Sequence, residues 1–153
     1  MTYTYRHLRP TDLPILKGLL AAFGEAFDEV DTYQAAVPTD AYLEGLLGKS
    51  HFIALAALQG DEVVGGLAAY QLEKFERARS EIYIYDLAVR EAHRRRGIAT
   101  ALIRNLQQIA SERGAYVIFV QADTGDAPAI RLYESLGTRE DVHHFDIPVS
   151  TSR

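Results

Sequence analysis

The chain has 153 residues, enough for one compact domain with a sizeable core and little else. It contains no cysteine, which excludes a disulfide framework, a thiol nucleophile and a thiolate metal site and suits a reducing compartment. A net charge of -5 argues against nucleic acid and favours a cationic small molecule as partner; no apolar run approaches the roughly 18 residues of a membrane span, and MTYTYRHLRP has no signal-peptide core, so no membrane partner and a cytoplasmic location are expected.

TYRHLR at 4 to 9 reads as a first strand. Thr11 and Asp12 are N-cap candidates for a helix reaching about Phe27, with Leu13, Leu16, Leu19, Leu20 and Phe23 at helical spacing and Pro14 confined to the first turn. From Asp28 to Pro38 the periodicity dissolves into an acidic, aromatic surface loop, and Thr39 or Asp40 then caps a short helix ending near Gly48. FIALAAL and EVVGGLAAYQL, joined by Gln-Gly-Asp, predict an antiparallel hairpin. EIYIYDLAV at 81 to 89 is nearly unbroken in apolar character, as in a strand covered on both faces.

Ile98, Leu102, Leu106, Ile109 and Ala110 define the apolar stripe of a helix that Gly114 stops. AYVIFVQA at 115 to 122 returns to strand, parallel to the run at 81 to 89. APAIRLYESLG at 127 to 137 predicts a last helix, and VHHFDIPV an edge strand blunted by Pro148. The class is α/β (α+β): a mixed, mostly antiparallel sheet flanked by helices, in a single domain over residues 1–153.

HRRRGIATAL, residues 93 to 102, places three arginines where a helix begins, an end whose dipole is positive and favours acidic side chains. No Ser, Thr, Asp or Asn precedes Ile98 to satisfy the first helical amides, and Gly97 leaves room for an approaching anion. Free amides, the dipole and guanidinium groups describe a phosphate or pyrophosphate cradle; a solvated turn capped by water is the alternative from charge alone. Neither GxxxxGK followed by S or T nor GxGxxG is present, so the nucleotide loops with those signatures are excluded.

Arg94-Arg95-Arg96-Gly97-Ile98-Ala99 resembles the pyrophosphate loop of the GNAT superfamily of acyl-CoA-dependent N-acetyltransferases: Gln or Arg, any two residues, Gly, any one, then Gly or Ala. Leu-Ala-Val precedes it as in that superfamily, and the strand and helix order follows over nearly the whole chain. FIALAAL, EVVGGLAAY, SEIYIYDLAV, HRRRGIATALI, GAYVIFVQAD and HFDI are similar to the aminoglycoside 3-N-acetyltransferases of the gentamicin-resistance type. The resemblance implies acetylation of the 3-amino group of an aminoglycoside by acetyl-CoA, through direct attack of the amine on the thioester, with a homodimer as the usual assembly of relatives. It places Leu87, Ala88 and Val89, opened by a bulge, against the pantetheine arm. The loop Arg94, Arg95, Arg96, Gly97, Ile98, Ala99 and Thr100 falls around the pyrophosphate.

Asp86, an acid inside an apolar strand, is the candidate for binding and deprotonating the amine, against a purely structural hydrogen bond at the bulge. Tyr133 corresponds to the tyrosine near the coenzyme sulfur, against a core tyrosine, and a helical face of Ala129, Leu132, Tyr133 and Leu136 would turn it inward. Tyr85 reaches the site only if the bulge turns it. Substrate contacts are further expected from Glu81, Tyr83, Asp28, Asp31, Asp123 and Asp146, within an acidic ensemble that includes Glu25, Glu29, Asp126, Glu140 and Asp141, each of which alone reads as solvated surface. No metal is expected, since His143 and His144 diverge in an extended segment and no ligand triad accompanies them. Rival readings are a GNAT acting on polyamines or protein amino groups, and a non-catalytic acyl-CoA-binding domain, which would need neither Asp86 nor Tyr133.

Overall fold

A computed structural model describes residues 2–29, 31 and 36–150. The chain forms two compact units, Met1–Gln121 and Ala122–Arg153.

The first unit is a five-stranded sheet in chain order: β1 (Thr4–His7), β2 (Phe52–Gln59), β3 (Glu62–Glu73), β4 (Ser80–Val89) and β5 (Ala115–Val120). Its first three junctions are antiparallel, and β4 and β5 are parallel, as the sequence predicts. Successive residues of β2 alternate between the two faces: Phe52, Ala54, Ala56 and Leu58 join the cluster formed with Leu16, Leu19, Phe23 and Leu43, while Ile53, Leu55 and Ala57 are buried between them. A strand covered on both faces needs apolar residues at every position, hence FIALAAL.

On one face lie α1 (Leu13–Ala26) and α2 (Asp40–Leu47). Pro14 is tolerated in the first turn of α1, where its missing N–H has no helical acceptor to reach. Thr39 caps α2 by accepting the Tyr42 amide at 3.2 Å. Gly66 brings α1 against the sheet, because a Cβ there would stand 2.3 Å from the Leu55 carbonyl oxygen and 2.5 Å from Leu19 Cδ1. The crossover between β4 and β5 is α3 (Ile98–Arg113), which buries Ile98, Leu102, Ile103, Leu106 and Ala110. The loop expected over residues 28–38 falls in part on residues 30 and 32–35, outside the described residues.

The second unit contains α4 (Ala127–Leu136), whose first turn is capped by the Asp126 carboxylate accepting the Ala129 amide at 3.2 Å. The expected final strand at 142–149 is not formed: no strand follows α4 among the described residues. Its β-type pattern is present, but a strand exists through ladder partners, and among the described residues this segment forms no ladder. Val142, Phe145 and Ile147 are consequently 70%, 79% and 86% exposed. The local ties are side-chain pairs, Arg139 with Asp141 at 2.8 Å and His144 with Asp146 at 2.9 Å.

Candidate active site

Two changes of pairing along β4 build the site. Against β3 it is paired over its whole length, but against β5 the register stops at Ile84 opposite Val120. Among the described residues, the stretch from Tyr85 to Val89 therefore has one edge without a strand partner, an open edge. The Arg90 amide donates to the Val64 carbonyl at 2.8 Å, so Arg90 faces β3, and the alternation of an antiparallel ladder turns the backbone groups of Val89 and Leu87 toward the open side.

The second change is a bulge. Ala68 pairs with Asp86 and Ala69 with Ile84, which leaves Tyr85 as the inserted residue. The bulge expected beside Asp86, opening the strand before Leu87 to Val89, is thus found at Tyr85. Through it, Tyr85 and Asp86 come to the same neighbourhood: the Tyr85 ring lies 6.1 Å from that of Tyr70 and 5.7 Å from that of Tyr83, both edge-on. Asp86 is half-buried and, among the described residues, is the one charged residue lining a cleft of about 180 Å³ whose walls include Leu16, Phe23, Phe52 and Tyr70. Burial raises the pKa of its carboxyl, and the negative charge of Glu29 raises it further. Burial, then neighbouring tyrosines and the Asp86 charge, likewise raises the Tyr70 and Tyr83 hydroxyls.

Beyond β4 a turn of 3-10 helix at Glu91–His93 leads into the arginine loop. Arg95 (φ 63°) and Gly97 (φ 77°) both take the left-handed conformation and turn the chain into α3. Gly97 is the N-cap, and no side chain caps the helix. The first helical bond runs from the Ala101 amide to the Gly97 carbonyl at 3.0 Å, so the amides of Ile98, Ala99 and Thr100 have no acceptor in the preceding turn. A Cβ at Gly97 would meet nothing within 4 Å, so the N-cap itself faces open space. Open space, unspent amides and the helix dipole fit the pyrophosphate of an acyl-CoA, and the adjoining edge of Leu87 and Val89 fits its amide-bearing arm. Arg95 and Arg96 are exposed beside this cradle.

Arg94 is placed differently. Its guanidinium donates to the Val89 carbonyl at 3.0 Å and to the Ala26 carbonyl at 3.4 Å. Arg90 donates from Nε to the Val63 carbonyl at 2.9 Å and pairs with Glu25. Glu25, read above as part of an acidic surface, is thus tied to an arginine. The His93 ring is buried and shares a 2.9 Å hydrogen bond with the Tyr3 hydroxyl, fixing the start of the loop.

The remaining candidates are dispersed. Tyr83 stacks on Phe119 with ring centres 4.7 Å apart and donates to Gln121 Oε1 at 3.1 Å. Glu81 pairs with Lys74 at 3.5 Å and stands about 16 Å along β4 from Asp86, at 3.3 Å per residue. Asp28 and Asp31 are exposed at the end of α1 and beyond it. In the second unit Asp123 is exposed and Asp146 pairs with His144. Tyr133 is half-buried on α4, with Ala129, Leu132 and Leu136 also partly covered, and its hydroxyl is pushed up to about 12 by burial and by the charge of Asp126. Among the described residues no group of three His, Cys, Asp or Glu side chains is arranged to hold a metal ion, and no helix is long and apolar enough to cross a membrane.

The sequence profile of the Acetyltransferase (GNAT) family matches residues 17–138, an interval that contains the bulge, the open edge and the Gly97 loop. The chain belongs to the GNAT acetyltransferase family. Members of this family use acetyl-CoA, the ligand whose shape the loop and edge accommodate. This GNAT chain is similar, at 59% identity and a TM-score of 0.96 over 98% of its length and 100% of the other chain, to the crystal structure of an aminoglycoside acetyltransferase from an uncultured soil metagenomic sample. A second aminoglycoside acetyltransferase from such a sample, solved in complex with sisomicin, is 32% identical with a TM-score of 0.90 over 97% of both chains. Among curated relatives, the N-acetyltransferase 8B of Rattus norvegicus is 30% identical over 58% of this chain, which spans 40% of that protein's length. Streptothricin acetyltransferase of Streptomyces lavendulae is 28% identical over 89% of this chain and 81% of its own.

Proposed function

We propose that the protein is an acetyl-CoA-dependent aminoglycoside N-acetyltransferase that modifies the 3-amino group of gentamicin-like substrates and thereby confers resistance. The observation that carries the reading is Asp86, a carboxylate of raised pKa at a bulge, on the strand whose open edge runs into the Gly97 loop. The similarity to two aminoglycoside acetyltransferases over nearly the whole chain supports the substrate class. The family match runs from residue 17 into the second unit, to residue 138, which supports a single acetyltransferase domain.

Acetyl-CoA supplies a thioester, whose carbonyl carbon forms a C–N bond with the acceptor amine as the C–S bond to coenzyme A breaks. Asp86 draws the acceptor ammonium in and takes its proton, directly or through a water, and its raised pKa makes it a better acceptor than an ordinary carboxylate. Glu29, whose charge reaches Asp86, adds to the attraction for a polycation. Leu87 and the amide of Val89 hold the pantetheine arm, and the amides of Ile98 to Thr100, with Arg95 and Arg96, hold the pyrophosphate. Tyr133, with a pKa of about 12, keeps its proton at neutral pH and is assigned as donor to the departing sulfur.

A homodimer is part of this reading, supported by the exposed apolar side chains of Phe145, Ile147 and Val149. The test of substrate class is thiol release from acetyl-CoA with gentamicin, sisomicin, spermidine and a lysine peptide. The aminoglycosides are expected to be preferred, with KM rising as salt screens the carboxylates. A preference for spermidine or the peptide moves the assignment to the polyamine or protein-amine class.

A further inference from the structure

We infer that Arg94 and Arg90 are positioning residues that brace the carboxyl end of α1 against the open edge of β4, so that the acceptor side and the acetyl-CoA side of the site move as one. The inference rests on acetyl-CoA occupying the Gly97 loop.

Four contacts carry it. Arg94 joins the carbonyl of Val89, at the end of the open edge, to the carbonyl of Ala26, the last residue of α1. Arg90 joins the carbonyl of Val63 to the carboxylate of Glu25, one residue earlier in α1. A guanidinium satisfies two acceptors in one plane, which an ammonium cannot do with the same geometry. Helix α1 is thereby gripped at its last two residues from the two ends of the 3-10 turn beyond β4. The segment it releases is the acceptor side: Phe23 lines the Asp86 cleft, and the Glu29 charge acts on Asp86. That segment also closes on itself, through the Phe27 amide to the Phe23 carbonyl at 2.9 Å and the Glu29 amide to the Gly24 carbonyl at 2.7 Å. Arg94 also withdraws the Val89 carbonyl from the open edge, which defines where an added backbone must stop pairing.

Arg94→Lys distinguishes a brace from a phosphate ligand, because lysine keeps the charge that attracts phosphate and loses the two-headed reach between carbonyls. In the protein without ligand, hydrogen exchange at the Phe27 and Glu29 amides is expected to speed up about tenfold in Arg94→Lys, as a local opening becomes easier. Unchanged exchange overturns the brace whatever the substrate proves to be. Glu25→Gln, at an exposed position, should speed the same two amides about threefold by weakening the Arg90 grip. With sisomicin as acceptor, Arg94→Lys should lower kcat/KM about tenfold with acetyl-CoA and equally with S-acetylpantetheine, which has no pyrophosphate, and should raise the sisomicin KM. A defect confined to acetyl-CoA would assign Arg94 to the phosphates and overturn the brace. Inactivity of the wild type toward sisomicin would instead reject the aminoglycoside reading, with the exchange result still deciding the brace.

Discussion

Gly97 and Gly114 stand at opposite ends of α3 in nearly the same conformation, φ 77° and ψ 13° against φ 75° and ψ 20°, and a Cβ at either would meet nothing within 4 Å. Replacing each in turn by alanine therefore applies the same backbone perturbation twice. The left-handed conformation costs an L-residue about 1 to 2 kcal/mol, so both variants should lose that much stability. In a chain of this size the loss corresponds to a fall in Tm of about 2 to 8 °C. The methyl at position 97 also stands at the N-cap, beside the Ile98 to Thr100 amides, and is expected to cost a bound pyrophosphate one charge-assisted hydrogen bond, worth about 1.5 to 3 kcal/mol. Gly97→Ala should then weaken acetyl-CoA binding by about 10- to 100-fold, at 1.4 kcal/mol per decade, while Gly114→Ala leaves it unchanged. Thermal melts and isothermal titration calorimetry on the two variants give both quantities. Equal affinities, or equal losses at both ends of the helix, would refute the cradle at Gly97.

Asp86→Asn should lower kcat/KM by about 10²-fold or more, the scale for a positioned acid or base, and should flatten the rise of rate with pH. Because folding raises the Asp86 pKa, its ionised form destabilises the protein: the asparagine variant should gain stability above the ordinary carboxylate range near pH 4, reach a plateau above the raised pKa, and match the wild type below pH 4, as denaturant titrations at several pH values will show. Asp12 carries the opposite sign. Its burial works upward but is outweighed by the Arg9 amide at 2.9 Å and the Arg6 guanidinium at 2.7 Å, so its contribution is present above pH 4 and lost as pH falls through the lowered pKa. Asp12→Asn should cost about 1 to 3 kcal/mol at pH 7 and little in strong acid, by the same titrations. Gly66→Ala should destabilise by about 3 kcal/mol or more, because the Leu55 carbonyl at 2.3 Å cannot yield as a side chain would, whereas Gly45→Ala in α2, with nothing within 4 Å, should stabilise by up to about 1 kcal/mol in the same melts.

The parts of the structure that rest on local pattern are legible in the sequence. Helix α3 follows from apolar residues three and four apart and from Gly114, and the Gly97 loop from the absence of any capping side chain before Ile98. The parallel pairing of β4 and β5 follows from the helix between them. What the sequence hides is set by partners far along the chain. A bulge beside Asp86 is expected from the resemblance, but its placement at Tyr85 is set by register against β3. Arg94 bonds a carbonyl 68 residues away and Arg90 a carboxylate 65 away, so the charge run hides two residues whose ends are already committed. The apolar alternation of VHHFDIPV reads as a strand, yet alternation describes a preference and a ladder needs a partner. Of the acidic ensemble, Glu25 and Asp126 are spent on an arginine and a helix cap, leaving Glu29 as the member whose charge acts on Asp86.

The central claim, that the acceptor amine bound at Asp86 is the 3-amino group of an aminoglycoside, is tested most directly by the structure of the product. Two-dimensional NMR of gentamicin after reaction with acetyl-CoA and the wild-type protein should show one new acetamide, on the nitrogen at position 3, formed in step with thiol release. An acetamide on another amine would contradict the regiochemistry, and the absence of any acetylated aminoglycoside at full acetyl-CoA saturation would contradict the account itself.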